Sequence, residues 1–175
     1  RPREAPEAVA MLTLAARPAE PGDAAAIAGI YNEGIEDRVA TFETRARKPD
    51  DIRAWFDGHP VIVVTDEAGR VIAYAASFTY RPRDCYAGVA ECSVYVARNA
   101  RGRGAGRVAL QALIDAARNA GYWKLLSRIF PENDASRALV RSVGFREVGV
   151  YERHGQLDGR WRDVVIVEYI IRENL

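Results

Sequence analysis

The stretch Ala90-Glu-Cys-Ser-Val-Tyr-Val-Ala-Arg-Asn-Ala-Arg-Gly-Arg-Gly-Ala-Gly-Arg107 decides the reading of this chain. Its first half alternates and carries β-branched Val94 and Val96 beside Tyr95, the pattern of a strand. Its second half is a loop of glycines and arginines. Gly102, Gly104 and Gly106 let the backbone approach a ligand closely. Leu110, Leu113, Ile114 and Ala117 then recur at helical spacing, so a helix opens at the end of the loop and stops near Gly121. The start of such a helix offers unpaired N–H groups and the positive end of the dipole. Strand, glycine loop and helix in this order bind a phosphorylated ligand. An acid, Glu91, lies just upstream on the strand.

Two common phosphate loops do not fit. A nucleoside-triphosphate loop needs Gly-Lys-Ser or Gly-Lys-Thr after its last glycine, and here Gly106 is followed by Arg107-Val108. A dinucleotide fingerprint needs Gly-x-Gly-x-x-Gly near a first strand, and the frame Gly102-x-Gly104-x-Gly106 differs.

Composition bounds the rest. The 175 residues suffice for one domain with a sizeable core, and 49% hydrophobic with 28% charged residues is globular usage. A net charge of +1 gives nucleic-acid binding no electrostatic support. The only cysteines, Cys85 and Cys92, make no disulfide framework and read as reduced thiols of a cytoplasmic protein. No apolar run is long enough to span a membrane. Residues 1–10 lack the apolar core of a signal peptide. With Met11 the only methionine, residues 1–12 are expected to be an N-terminal extension without fixed structure.

Along the chain, Thr13 to Arg17 reads as a first strand and Pro21-Gly-Asp23 as a helix start. Ile27, Ile30, Tyr31 and Gly34 follow at helical spacing, and Pro49-Asp-Asp51 opens a second helix with Ile52, Trp55 and Phe56 on one face. Val61 to Val64 and Val71 to Tyr74 flank a glycine-bearing turn. Val89 to Val96 and Trp123 to Phe130 are further strands. A short helix carries Leu139, Val140 and Val143 and is closed by Gly144. Two strands end the chain, Arg146 to Tyr151 and Asp163 to Ile171, joined by the segment from Gly155 to Gly159. The expectation is a mixed α/β fold over residues 13–175, a central twisted sheet of about seven strands flanked by about four helices.

Arg101-x-x-Gly104-x-Gly106 resembles the pyrophosphate loop of the GNAT acetyltransferases, which bind acetyl-coenzyme A. The order of elements resembles the same fold. Arg81-Pro-Arg-Asp-Cys-Tyr86 and Val89-Ala-Glu-Cys-Ser-Val-Tyr-Val96 are similar to the phosphinothricin and methionine sulfoximine N-acetyltransferases. So is the tail, through Gly149, Gly155, Gly159, Trp161 and Asp163, with wording especially like the arsinothricin branch. One position departs. The family carries His or Tyr four residues before the Gly-Phe pair, and here Val140 precedes Gly144-Phe145. The role of that His does not pass to His59 or His154; His154 reads as a loop residue.

What the resemblance implies can be stated residue by residue. Glu91 is the water-mediated general base for an α-amine, since an ammonium must lose a proton before it attacks a thioester. Burial beside the cofactor favours that role by disfavouring the charged form; a strand-edge glutamate in a salt bridge is the alternative reading. The Val94 N–H is the donor to the developing oxyanion. Val94 and Val96 offer main-chain groups to the pantetheine arm, Arg101, Gly102, Gly104, Gly106 and Arg107 hold the pyrophosphate, and Asn133 and Ser136 touch the arm. For Asn133 a plain helix cap is an equal reading. Arg81 and Arg83 would grip an anionic substrate group, with Arg83 the better match and Tyr86 a hydrogen-bonding partner. For Arg81 a solvated charge is the simpler reading. Thr41-Phe42-Glu43 resembles the mobile substrate loop, with Phe42 as a wall; a core phenylalanine reads equally well. No metal is implied. Cys92 faces away from Glu91 by strand alternation, so a cysteine nucleophile is a poor reading.

The expected activity is N-acetylation of a small amino-acid analogue of phosphinothricin, methionine sulfoximine or arsinothricin type. Acetyl-coenzyme A is the co-substrate, and the chain is expected to be a homodimer with the apolar strand Val164 to Ile171 near the interface. Nucleic-acid and membrane partners are not expected. A protein or peptide N-acetyltransferase and a non-catalytic acyl-coenzyme A sensor are the alternatives.

Overall fold

The computed structural model describes residues 13–175; the expected N-terminal extension lies outside them. Seven strands form one sheet: β1 (Ala15–Pro18), β2 (Val61–Thr65), β3 (Val71–Thr79), β4 (Val89–Val96), β5 (Lys124–Ile129), β6 (Arg146–Leu157) and β7 (Arg160–Ile170), in the order β1-β2-β3-β4-β5-β7-β6. Four α-helices flank it: α1 (Ala24–Asp37), α2 (Pro49–Arg53), α3 (Ala105–Asn119) and α4 (Asp134–Ser142). Every neighbouring pair is antiparallel except β4 and β5. A parallel pair needs a crossover, and α3 supplies it.

The continuous apolar run of β2 follows from cover on both faces. Ile62 and Val64 join Ala73, Ala75 and Ala90 under Leu110, Leu113, Ile114 and Ala117 of α3. Val61 and Val63 join Tyr74 and Ala76 under Ile27 and Ile30 of α1 and Ile52 of α2. The two helix layers thus face opposite sides of the sheet. The Asp66–Gly69 turn is held by the Asp66 carboxylate, which accepts from the N–H groups of Ala68 and Arg70 at 3.0 and 2.9 Å.

The last two strands are longer than the sequence suggests. β6 runs to Leu157 and β7 starts at Arg160, so Asp158-Gly159 alone forms the turn. Both residues have positive φ, 49° and 76°, the geometry that suits a two-residue hairpin. The register is irregular between Tyr151 and Gly155, around Arg153 at φ 47°, and this break resembles a loop in the sequence. The expected interface strand is interior. β7 lies between β5 and β6, and Val164, Val165, Val167 and Ile171 are buried. The edge belongs to β6, which exposes Val148, Val150 and Tyr151.

A buried charge cluster ties β5, β6 and β7 together. Glu168, 6% exposed, accepts from Lys124 Nζ at 2.9 Å and from Arg146 Nε and Nη2 at 2.9 and 2.6 Å. Burial pushes its carboxyl up, but the hydrogen bonds from Lys124 and Arg146 together outweigh that and hold it below the usual range. A lowered folded-state value means stability that is present above the unfolded value and lost as pH falls through the folded one. Glu168→Gln should therefore lower stability at pH 7 by about 1–3 kcal/mol. The gap to wild type should narrow as pH drops below the ordinary glutamate value near 4.5. Urea unfolding of both proteins across pH 3.5–7 checks this (roughly the window in which a carboxylate titrates).

Candidate active site

β4 and β5 part soon after they meet. Val89, Ala90 and Glu91 pair with Lys124, Leu125 and Leu126, and beyond that Ser127 to Ile129 pair with β7 alone. Ala97 N–H donates to Ile72 O at 2.8 Å, which fixes the edge that each residue of β4 uses. Main-chain groups of successive residues turn to opposite edges. Glu91, Ser93 and Tyr95 therefore bond β3, whereas Cys92, Val94 and Val96 turn toward the gap. The edge that the resemblance assigns to the pantetheine arm is the one without a neighbouring strand. Val96 O accepts from Arg101 Nε at 3.3 Å.

The gap opens into a cleft of about 530 Å³, lined by Arg81, Tyr86, Glu91, Val94, Asn133 and Ser136 among the expected site residues. Arg83, Phe42, Glu43, Val96 and the glycine loop lie outside that lining. Glu91 is in a salt bridge, the alternative weighed for it from sequence. Arg128 holds it in a two-pronged pair, Nη1 to Oε2 at 3.0 Å and Nη2 to Oε1 at 2.9 Å. Both ends also line the cleft. Arg128 could not be found without the register, because only the pairing of Glu91 with Leu126 shows that residues 126 and 128 share Glu91's face.

Gly102 and Gly104 have φ of 76° and 86°, a region that side chains rarely adopt. The first bond of α3 runs from Val108 N–H to Gly104 O at 3.1 Å, so the N–H groups of Ala105, Gly106 and Arg107 precede the helical ladder. Gly106 serves packing rather than loop freedom: a Cβ there would lie 3.0 Å from Leu139 and 3.2 Å from Val96. Arg101 pairs with Asp37 at 2.8 Å and ties the loop to the end of α1. Arg98 pairs with the same carboxyl, and the hydrogen bonds from Arg98 and Arg101 hold Asp37 below the usual carboxylate range. Arg107 is exposed. Exposed glycines, early N–H groups and a free basic side chain fit a pyrophosphate.

Around the cleft mouth, Arg81 stacks over Tyr80 at 5.2 Å and Arg83 over Tyr86 at 5.7 Å, and the two tyrosine rings meet edge-on at 5.4 Å. Arg81, the weaker reading from sequence, is the one in the lining. Phe42 meets Phe130 edge-on at 4.9 Å within a small core with Leu157 and Val164. Glu43 pairs with Arg47 at 2.6 Å. Asn133 caps α4: its Oδ1 accepts from Ser136 N–H at 3.1 Å while its Nδ2 donates to Val39 O at 3.1 Å.

Val140 is buried and lines the cleft, an aliphatic wall. His154 stands on β6, not in a loop, and lines the cleft beside Tyr151, with ring centres 5.0 Å apart. His59 is elsewhere, between Asp57 and Thr79 at 2.6 and 3.2 Å. Cys92 is buried among the residues under α3, and burial, then the Glu91 charge, push its thiol up to about 12. That leaves negligible thiolate for a nucleophilic role. Among the described residues no three His, Cys, Asp or Glu side chains group to hold a metal, and no helix is long and apolar enough to cross a membrane.

Comparison with known proteins agrees with this geometry. Residues 27–145 match the family model described as Acetyltransferase (GNAT) family. The L-methionine sulfoximine/L-methionine sulfone acetyltransferase of Pseudomonas aeruginosa is 35% identical over 162 residues, 90% of this chain and 94% of its own. A GNAT superfamily phosphinothricin acetyltransferase from Sinorhizobium meliloti, solved in complex with acetyl-coenzyme A, superimposes with a TM-score of 0.83 at 31% identity, over 91% of this chain and 88% of that one. The ribosomal-protein-alanine N-acetyltransferase of Brucella melitensis superimposes with a TM-score of 0.84 at 36% identity, over 90% and 99%. The chain belongs to the GNAT family of acetyltransferases, whose acyl donor is acetyl-coenzyme A.

Proposed function

We propose that this enzyme acetylates the α-amine of a small amino-acid analogue of phosphinothricin, methionine sulfoximine or arsinothricin type, with Glu91 as the base. The observation that carries the reading is the position of Glu91. It stands at the last β4–β5 pair, in the cleft, three residues before the main-chain edge of Val94. Acetyl-coenzyme A supplies the acetyl group when bound. The loop Arg101 to Arg107 would hold its pyrophosphate, Val94 and Val96 its arm, with Asn133 and Ser136 beside them. Glu91 accepts the amine proton through water. The Val94 N–H stabilises negative charge developing on the acyl oxygen. Val140 offers no proton, so water or the substrate ammonium provides the one that the departing sulfur takes.

A cleft of about 530 Å³ suits a small molecule. The likeness to a ribosomal-protein-alanine acetyltransferase favours a protein N-terminus as the second reading. Release of free thiol from acetyl-coenzyme A over a panel of amino acids and peptides separates the two. Thiol release with peptides and with none of the amino acids would overturn the first.

We further assign residues 13–175 to one catalytic domain, acting in the cytoplasm as a homodimer through the β6 edge. Light scattering should give a mass near twice the 19.4 kDa chain, and Val150→Lys, on that edge, should return it to one chain.

Gly104→Asp places a carboxylate at the start of α3, and aspartate is among the few residues that tolerate positive φ. The folded variant should bind acetyl-coenzyme A more than about tenfold less tightly in calorimetry, a loss of about 1.4 kcal/mol or more. Glu91→Gln keeps the shape of the side chain and removes the base. Turnover at pH 7 should fall by roughly a hundredfold, with acetyl-coenzyme A binding unchanged. The loss should shrink as pH rises, because more substrate amine is then already neutral. A loss equally deep at every pH would mean positioning rather than proton transfer.

A further inference from the structure

The Glu91–Arg128 pair has capacity left over. A guanidinium carries five N–H donors and a carboxylate about four acceptor sites. Their mutual contact takes two of each, through Nη1 and Nη2 on one side and both Oε atoms on the other. No other hydrogen bond to either side chain occurs among the described residues. The pair is not sealed: the side chains of Arg128 and Glu91 are 42% and 30% exposed, and both line the cleft. Three donors and two acceptors are thus free at one spot, side by side on the same face of β4 and β5.

The buried pair nearby is different. Glu168 faces Lys124 and Arg146 with only 7% of its side chain exposed, and it spends its acceptors on three donors. Glu168 and Lys124 also line the cleft, but Glu168 already takes three donors, whereas each oxygen of Glu91 takes one. Leu126 lies between them on the same face, since it pairs with Glu91 on one side and Glu168 on the other.

We infer that Arg128 receives the α-carboxylate of the substrate, so that the Glu91–Arg128 pair selects a free α-amino acid. A zwitterion carries an ammonium and a carboxylate on one carbon. The ammonium meets the remaining acceptors of Glu91, directly or through water, and the carboxylate meets the remaining donors of Arg128. The planar fork of arginine suits a carboxylate held by two parallel bonds. Arg81, at the cleft mouth, is then left for a second anionic group on the side chain. A peptide presents an amide where the carboxylate would be and leaves Arg128 donors without a partner, which costs binding. The inference rests on the reading of Glu91 as the group that meets the amine, and it names the feature of the substrate that this site requires.

The test uses L-phosphinothricin, its α-carboxamide and the corresponding amine without the carboxyl group, with wild type, Arg128→Met and Arg128→Lys. Wild type should prefer the acid over the carboxamide and the amine by at least about tenfold in kcat/KM, the scale of a lost hydrogen bond to a charged group. The preference should appear mainly in KM. Arg128→Met should lose it to within about threefold, and Arg128→Lys should keep part of it. The wild-type panel needs no variant to fold, and equal use of acid and carboxamide there overturns the inference. So does an Arg128→Met enzyme that retains the full preference. Glu91→Gln separates this from the base assignment. If that variant turns over as fast as wild type, Glu91 is not the base; a carboxylate preference that still disappears with Arg128→Met leaves the carboxylate receptor standing.

Discussion

The site depends on the parting of β4 and β5. They share three residue pairs and then follow different partners, β4 with β3 and β5 with β7. The wedge is pinned at its closed end: Gly88 O accepts from Trp123 N–H and Lys124 N–H at 2.8 and 3.1 Å. A Cβ at Gly88 would fall 1.9 Å from the Trp123 ring, so only glycine allows this approach. At its open end the main-chain edge of β4 has no strand beside it, and the chain turns through the glycine loop into α3. The unpaired strand edge and the unpaired helix N–H groups therefore lie at the same end of β4. Each would be a defect alone, since main-chain polar groups need partners. Together they make a surface that a ligand with an amide-bearing arm and a pyrophosphate can satisfy.

The same wedge explains why similar ion pairs behave differently. Glu91 and Glu168 lie on one face, on either side of Leu126, and both face cations from β5. Glu168 lies on β7 with only 7% of its side chain exposed, so breaking its bonds leaves a nearly buried charge behind. Glu91 sits where the sheet has opened. Its pair is bathed by the cleft and adds little stability. What it retains is orientation: two parallel bonds fix the plane of the carboxylate on the strand that carries Val94.

The parts of this arrangement legible in the sequence were those written locally. The glycine loop, the helix of Leu110, Leu113, Ile114 and Ala117, and the apolar run Val61–Val64 depend on residues close in the chain. Glu91 could be singled out because strand and loop adjoin. The hairpin at Asp158-Gly159 was also written locally, but the break at Arg153 hid the continuity of β6 and with it the place of His154. Arg128 was illegible for another reason. It reaches Glu91 across a parallel pair 37 residues away in sequence, and no local pattern sets that register. Arg101 and Phe42 show the converse. Their residue types suit ligand contact, yet Asp37 and Phe130, both distant in sequence, engage them in the fold.

The aliphatic wall at Val140 bears on which proton transfer this site must assist. The two ends of the reaction are not equally demanding. A thiol has an ordinary pKa near 8.5, so a thiolate expelled at neutral pH lies only about 2 kcal/mol above its protonated form and can be protonated after it has left. An α-ammonium is the harder problem, because nucleophilic attack cannot begin until its proton has gone. A site that places a proton acceptor at the amine meets the larger need first. The geometry follows that order. Glu91 is fixed by two bonds at the strand edge, while the wall facing the cleft at residue 140 is buried valine, which carries no proton of its own.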